Sequence, residues 1–249
     1  PKTGNRLTVL FTENHLRVVS MSKILSVGSP AFAFMTKIAV LVWLNLLWFV
    51  GCIPVFTIGV STAALYQSIF AYQKGKDEAI HKLFWNAYKN NFKKGIVQFL
   101  IVLAVGGVLV ADAIILYVTG ILNTIAAILL GIPVVLVILA AGYIFPLQAF
   151  FENTIRHTVK NAWLLSCRHL IVSAVVGVLN VLPLVMMLVI PETFLKISIL
   201  WVMIGTAATA YVNAFLLNKV FSLYIPKDTT GKANQETAQE DGHDGTQQL

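Results

Sequence analysis

From Ile121 to Phe145 the chain runs without one charged side chain. A helix rises about 1.5 Å per residue, so a run of this length crosses the roughly 30 Å hydrocarbon core of a bilayer. Four further stretches share the pattern: about Phe32 to Ile53, Gly95 to Val118, Leu170 to Ile190 and Phe194 to Leu217. Lys37, Asp112 and Lys196 are the charged residues inside them. In hydrocarbon every backbone N–H and C=O must be paired, which restricts spanning structure to helices or a closed barrel. These runs are helix-length. Charged residues make up only 12% of the chain, about half of what a soluble globular chain carries. The expected fold is therefore all-α: a polytopic transmembrane helical bundle of about six membrane segments, with two cytoplasmic amphipathic helices.

The most informative interruption lies between Asn45 and Tyr66, NLLWFVGCIPVFTIGVSTAALY. Pro54 has no backbone N–H and pushes Ile53 out of helical geometry. Gly59 permits backbone conformations that other residues resist. Ser61 or Thr62 can cap a restarting helix. Several donors and acceptors are freed within a few residues, so Pro54, Thr57, Gly59, Ser61 and Thr62 form the leading candidate site. It reads either as a structural re-entrant turn or as part of a ligand path. The helix after it, Ser61 to Gln73, is short for a full crossing and reads as half-length or as a complete span with a deep preceding loop.

The rest of the chain follows in order. Residues 1–20 lack an initiator Met and are read as an N-terminal extension of unassigned origin, with Met21 a candidate start. Residues 21–226 form the transmembrane domain. Residues 74–95 are basic, and Ile80, Leu83, Phe84, Ala87 and Tyr88 share a helical face. That segment is an amphipathic helix, either lying in the interface or packed under the bundle. A second amphipathic segment covers 151–169, with Phe151, Ile155, Val159, Ala162 and Trp163 along one side. Asn86-Ala87-Tyr88 through Val97 resembles Asn161-Ala162-Trp163 through Val172, a weak internal repeat. Residues 227–249 hold almost no large apolar groups and are expected to be a disordered tail.

Charge orients the chain. The formal net charge is +7, with Lys and Arg gathered in 74–95, 151–169 and the N-terminal region. The positive-inside rule places all three on the cytoplasmic side, so Phe32–Gln73 is a hairpin and both termini are cytoplasmic. The same rule accounts for the basic charge without nucleic acid, and no base-reading motif is present. On this topology Cys52 and Cys167 lie on opposite sides and do not pair.

The residues around the break carry a family resemblance. Ser29-Pro30, Asn45-Leu46-Leu47-Trp48, Pro54, Thr57-Ile58-Gly59, Ser61 and Ala63-Ala64-Leu65-Tyr66 resemble the signature of YesL-like bacterial integral membrane proteins. Phe84, Ala87, Asn91-Phe92-Lys93, Asn161-Ala162 and Arg168-His169 fit the same pattern. The resemblance covers roughly Ser26 to Ile225. It implies a multi-pass protein of the cell membrane with no known catalytic residue. Such proteins are often encoded beside carbohydrate-uptake and polysaccharide-degradation systems.

Beyond the break, Asp112 is the acid well inside an expected span, and an intramembrane acid is a candidate functional group unless it reaches water. Asn45, Asn180 and Asn213 can hydrogen-bond between helices, and Gly107/Ala111, Ser173/Gly177 and Gly205/Thr209 are small pairs suited to helix contact. His81, His157 and His169 do not form a zinc-like set, and no HExxH, GxSxG or phosphate-binding glycine-rich motif occurs. The expectation is a non-enzymatic protein without metal or cofactor, partnered by the bilayer and accessory to a carbohydrate transport system in uptake or sensing. The alternative is a small-solute transporter or channel acting alone, because discontinuous helices often line substrate sites.

Overall fold

The computed structural model describes residues 30–76, 79–121, 123–151 and 153–225. The extension 1–20 and the tail 227–249 lie outside these residues. The described residues are about 91% helical, without a strand. The helices are α1 (Pro30–Gly51), α2 (Ile58–Gln73), α3 (Ile80–Val118), α4 (Thr124–Phe150), α5 (Ile155–Arg168), α6 (Leu170–Val189), α7 (Pro191–Leu200) and α8 (Thr206–Phe221). A 3-10 turn, Val55–Thr57, precedes α2, and a wider π turn, Trp201–Gly205, joins α7 to α8. Six helical stretches are long and apolar enough to cross a membrane. Their outward faces are apolar: Ile114, Val118, Ile125, Leu129, Leu188 and Leu195 are each more than half exposed. A surface of that kind suits lipid as its solvent.

The centre of the bundle is α2, which packs against α1, α3, α4 and α8. Val60, Ala63, Ala64, Leu65 and Ile69 are fully buried on it. Its small residues permit this. Gly59 meets Gly95 of α3 so closely that a Cβ on Gly59 would lie 2.5 Å from the Gly95 carbonyl oxygen. A Cβ on Gly95 would lie 2.7 Å from Val60 Cα. Backbone approach of this kind strengthens dispersion contact where hydrophobic drive between helices is lost. The turn into α3 is closed by Gly75 at φ +72°, where the Lys76 N–H donates to the Ala71 carbonyl and the Gly75 N–H to Tyr72. This pairs orphan carbonyls at the end of α2.

Some expected boundaries move. The basic amphipathic segment and the span after it are one 39-residue helix, α3, whose lower part buries Phe84, Ala87 and Asn91 against the bundle. The short helix after the break starts at Ile58, and Val55–Gln73 forms a stretch of 19 residues. The second amphipathic helix, α5, buries Thr158, Ala162, Leu165 and Ser166, while Trp163 turns outward. Its true face is therefore rotated from the one expected. Gly107 meets nothing within 4 Å and so makes no helix contact among the described residues. The repeat has a counterpart in burial. Ala87, Asn91 and Gln98 on α3, and Ala162, Ser166 and Ser173 on α5 and α6, are all buried. The second copy breaks at His169, where the first runs straight.

Gly95→Ala is expected to lower stability by about 1–3 kcal/mol, because the new methyl meets backbone that cannot rotate away. Gly107→Ala should be neutral. Thermal unfolding of the two variants in mild detergent checks both, and equal melting temperatures would remove the glycine contact from the account of packing.

Candidate functional site

The break between α1 and α2 is built from hydroxyl groups. Pro54 is extended, at φ −77° and ψ 114°, and the chain then tightens into the 3-10 turn. Thr57 Oγ1 lies 2.8 Å from the Gly51 carbonyl and 2.6 Å from that of Pro54. Ser61 donates to the Trp48 carbonyl at 2.8 Å. Thr62 donates to Ile58 at 2.8 Å and accepts from the Trp48 indole at 3.2 Å. Tyr88 of α3 donates to Gly51 at 3.2 Å. Of the last carbonyls of α1, those of Trp48, Phe49 and Val50 accept backbone N–H groups of Cys52 and Ile53, the Gly51 carbonyl is paired by side chains, and Ser61 gives the Trp48 carbonyl a second bond. Ser61 and Thr62 do not cap the restarting helix; they lie inside α2 and reach back. Gly59 is helical, so the missing side chain matters for space rather than for backbone freedom.

Asn45 has a different part. It is fully buried, accepts from the Ala207 N–H at 2.9 Å and donates to the Val202 carbonyl. Val202 and Ala207 are five residues apart, the spacing that a π turn would close directly. The amide of α1 is spliced into the ladder of another helix and holds the wide turn open. Asp112 is exposed on α3 and makes no ion pair or hydrogen bond to a described residue. The structure does not bring it to the other candidates.

The residues that converge lie between α2, α4, α6 and α8. Asn213 is fully buried; its Nδ2 reaches Tyr66 Oη at 3.2 Å and Asn180 Oδ1 at 3.1 Å. Its Oδ1 is buried without a partner among the described residues. Asn180 Nδ2 donates to no described residue and faces Gly142. Two cavities meet here, of about 130 Å³ and about 280 Å³, and both are lined by Thr62, Tyr66 and Asn180. The smaller also touches Pro183 and Leu179, with Trp201, Thr206 and Thr209. The larger touches Pro146 and Gly142. Each proline lacks the N–H that would bond the carbonyl four residues earlier, which is Leu179 or Gly142. Each cavity is therefore lined by a proline inside a helix and by the residue whose carbonyl that proline cannot bond. Neither has a charged lining residue.

Thr62 is the one member of the Pro54–Thr62 element that reaches this site. Sequence reasoning named Asn180 and Asn213 for helix contact but did not place Tyr66, Thr206 and Thr209 with them. The available signal was a proline three residues after Asn180 and another inside α4. A separate amide chain joins Gln67, Asn91 and Gln148 at 2.8 and 3.0 Å. Gln98, about two turns further along α3 on the same face, is fully buried with both amide atoms unpaired among the described residues. Among the described residues no three His, Cys, Asp or Glu side chains gather as a metal set.

Asn45→Leu should leave the Val202 and Ala207 groups unpaired, and Thr57→Val and Ser61→Ala should remove the side-chain bonds that tie the start of α2 to the end of α1. The first is expected to cost about 1–3 kcal/mol and each hydroxyl deletion about 0.5–1.5 kcal/mol, lowering melting temperature and protein level together. Asp112→Asn should change neither. Normal melting of Thr57→Val and Ser61→Ala would show that these hydroxyls do not hold the turn.

A family model described as a protein of unknown function, DUF624, matches residues 41–113. The match runs from α1 through the break and α2 into α3. No curated protein matches the chain. No solved structure matches it either.

Proposed function

We propose that this is a non-enzymatic membrane protein that holds a small uncharged, hydroxyl-rich solute between α2, α4, α6 and α8, as an accessory to carbohydrate uptake or sensing. The observation that carries the reading is the unpaired amide donor of Asn180, Nδ2, on a residue that lines both uncharged cavities beside Tyr66 and Thr62. A donor left without a protein partner in an apolar bundle costs free energy that a neutral hydrogen-bonding ligand recovers. Neutral amides and hydroxyls suit a polyol. The indole of Trp201 offers an apolar face beside them. The lining contains no carboxylate, imidazole or thiol to carry out acid–base or nucleophilic chemistry. The carbohydrate direction comes from the YesL-like resemblance, with which the DUF624 match is consistent.

A second reading, transport by the protein alone, is favoured by one feature. The site is walled by two helices with internal prolines, Pro146 and Pro183, and lies next to the discontinuous α1–α2 element through Thr62, a setting that suits transporters with discontinuous spans. Equilibrium binding of radiolabelled glucose and maltose to the purified protein tests the shared premise. Saturable binding that is lost in Asn180→Leu, with melting unchanged, is expected. Absence of binding by both sugars would overturn it. Sugar flux by the protein alone in liposomes would then select the transporter; co-purification with a sugar permease and no flux would select the accessory.

The proposed setting is the cell membrane, with both termini cytoplasmic. The basic segments support this through the positive-inside rule. Cysteines placed at Ser22 or Thr237 should resist an impermeant thiol reagent in intact cells. Strong labelling at Ser22 would reverse the hairpin arrangement of α1 and α2.

A further inference from the structure

Beside the two cavities lies an apolar groove between α4 and α6, of about 430 Å³, whose wall carries no polar side chain. It shares Ile138 and Val181 with the larger cavity. That cavity in turn shares Thr62, Tyr66 and Asn180 with the smaller one. The three form a continuous series: a purely apolar groove, a mixed chamber and an end lined by Thr62, Tyr66, Asn180, Thr206 and Thr209. Gly177 makes the groove possible, because a Cβ there would lie 3.1 Å from Leu139 Cδ2 and bring α6 away from α4. Val178, Leu182 and Val185 on its rim are each more than 40% exposed, so the groove opens on the bundle's outer apolar face. Asn180 stands where that face meets the chamber and is itself exposed, with its Nδ2 unpaired among the described residues. An unpaired amide donor facing hydrocarbon is costly. The cost is removed by a polar group held there and delivered from the membrane side.

We infer that the ligand of this site is a membrane amphiphile with one apolar chain and an uncharged, hydroxyl-bearing headgroup. The chain lies in the α4–α6 groove and the headgroup lies against Asn180, Tyr66 and Thr62. This rests on the polyol reading above and adds that the solute carries a chain and enters sideways from the bilayer. A charged headgroup is disfavoured, because no lining residue of any of the three spaces carries charge and burying an unpaired ion is far more costly than burying a hydroxyl.

The test uses the protein in phosphatidylcholine nanodiscs, titrated with octyl glucoside below its micellar concentration, with glucose and with octanol, and read by calorimetry. Octyl glucoside should bind more tightly than glucose, and octanol should not bind saturably. Ala174 lines the groove from the exposed side. Ala174→Phe should therefore fill the groove and weaken octyl glucoside roughly tenfold, the equivalent of about two buried methylenes, while leaving glucose unchanged. Should Ala174→Phe fail to accumulate, Val178→Trp blocks the same groove from a position that is 62% exposed. Equal affinity for glucose and octyl glucoside would overturn the amphiphile and leave the polyol reading standing. An octyl glucoside affinity untouched by either groove variant would overturn the chain's placement. Octanol binding as well as octyl glucoside, or no binding by either sugar compound, would overturn both readings.

Discussion

Everything in this bundle depends on how backbone hydrogen bonds are completed where a helix is interrupted in apolar surroundings. An uninterrupted helix satisfies itself; an interrupted one needs outside partners. The described residues contain three kinds of interruption and meet each differently. At Pro54, hydroxyls of Thr57 and Tyr88 take up the Gly51 carbonyl, and Ser61 adds a second bond to that of Trp48. At the π turn between α7 and α8, the amide of Asn45 bridges Val202 and Ala207. At Pro146 and Pro183, which lack the N–H for the carbonyls of Gly142 and Leu179, those two residues line the cavities instead. The first two interruptions are closed by the protein, and the third is where the proposed ligand would bond.

The closed interruptions also explain the position of the open one. Trp48 ties α1 to Thr62, and Asn45 ties α1 to α8, so α1 clamps the ends of both helices. Gly59 against Gly95 brings α2 onto α3 at backbone distance. With α2 fixed by three neighbours, Tyr66 is carried to Asn213 and Asn180. The Pro54–Thr62 element therefore acts on the cavities as a support, reaching them through Thr62 alone.

The polar groups of the bundle differ in where their unpaired atoms lie. The Gln67–Asn91–Gln148 chain ties α2, α3 and α4 together and leaves Gln148 Oε1 buried without a partner among the described residues, as Asn213 Oδ1 is in the other group. In the Asn180–Asn213–Tyr66 group Asn180 lines both cavities and its Nδ2 is open beside them. An unpaired polar group beside a cavity is where binding free energy is available.

The apolar runs, their lengths and the Pro54 break were legible in the amino-acid sequence, because pairing of backbone groups in hydrocarbon depends on local composition and on one missing N–H. The need for polar partners near Pro54 was legible for the same reason. Which partners answered was decided by tertiary structure: Ser61 reaches back to Trp48, and Asn45 reaches to Val202, 157 residues away. The continuity of α3 through its basic segment also followed from packing, since Phe84 and Ala87 are held by the bundle rather than by the interface. The site itself was hidden for a related physical reason. Asn180, Tyr66 and Asn213 lie on three helices far apart in sequence, and only the crossing of α2 with α6 and α8 sets their distances. No local pattern encodes that crossing; small residues on α2 permit it, and the packed helices around it determine where it falls.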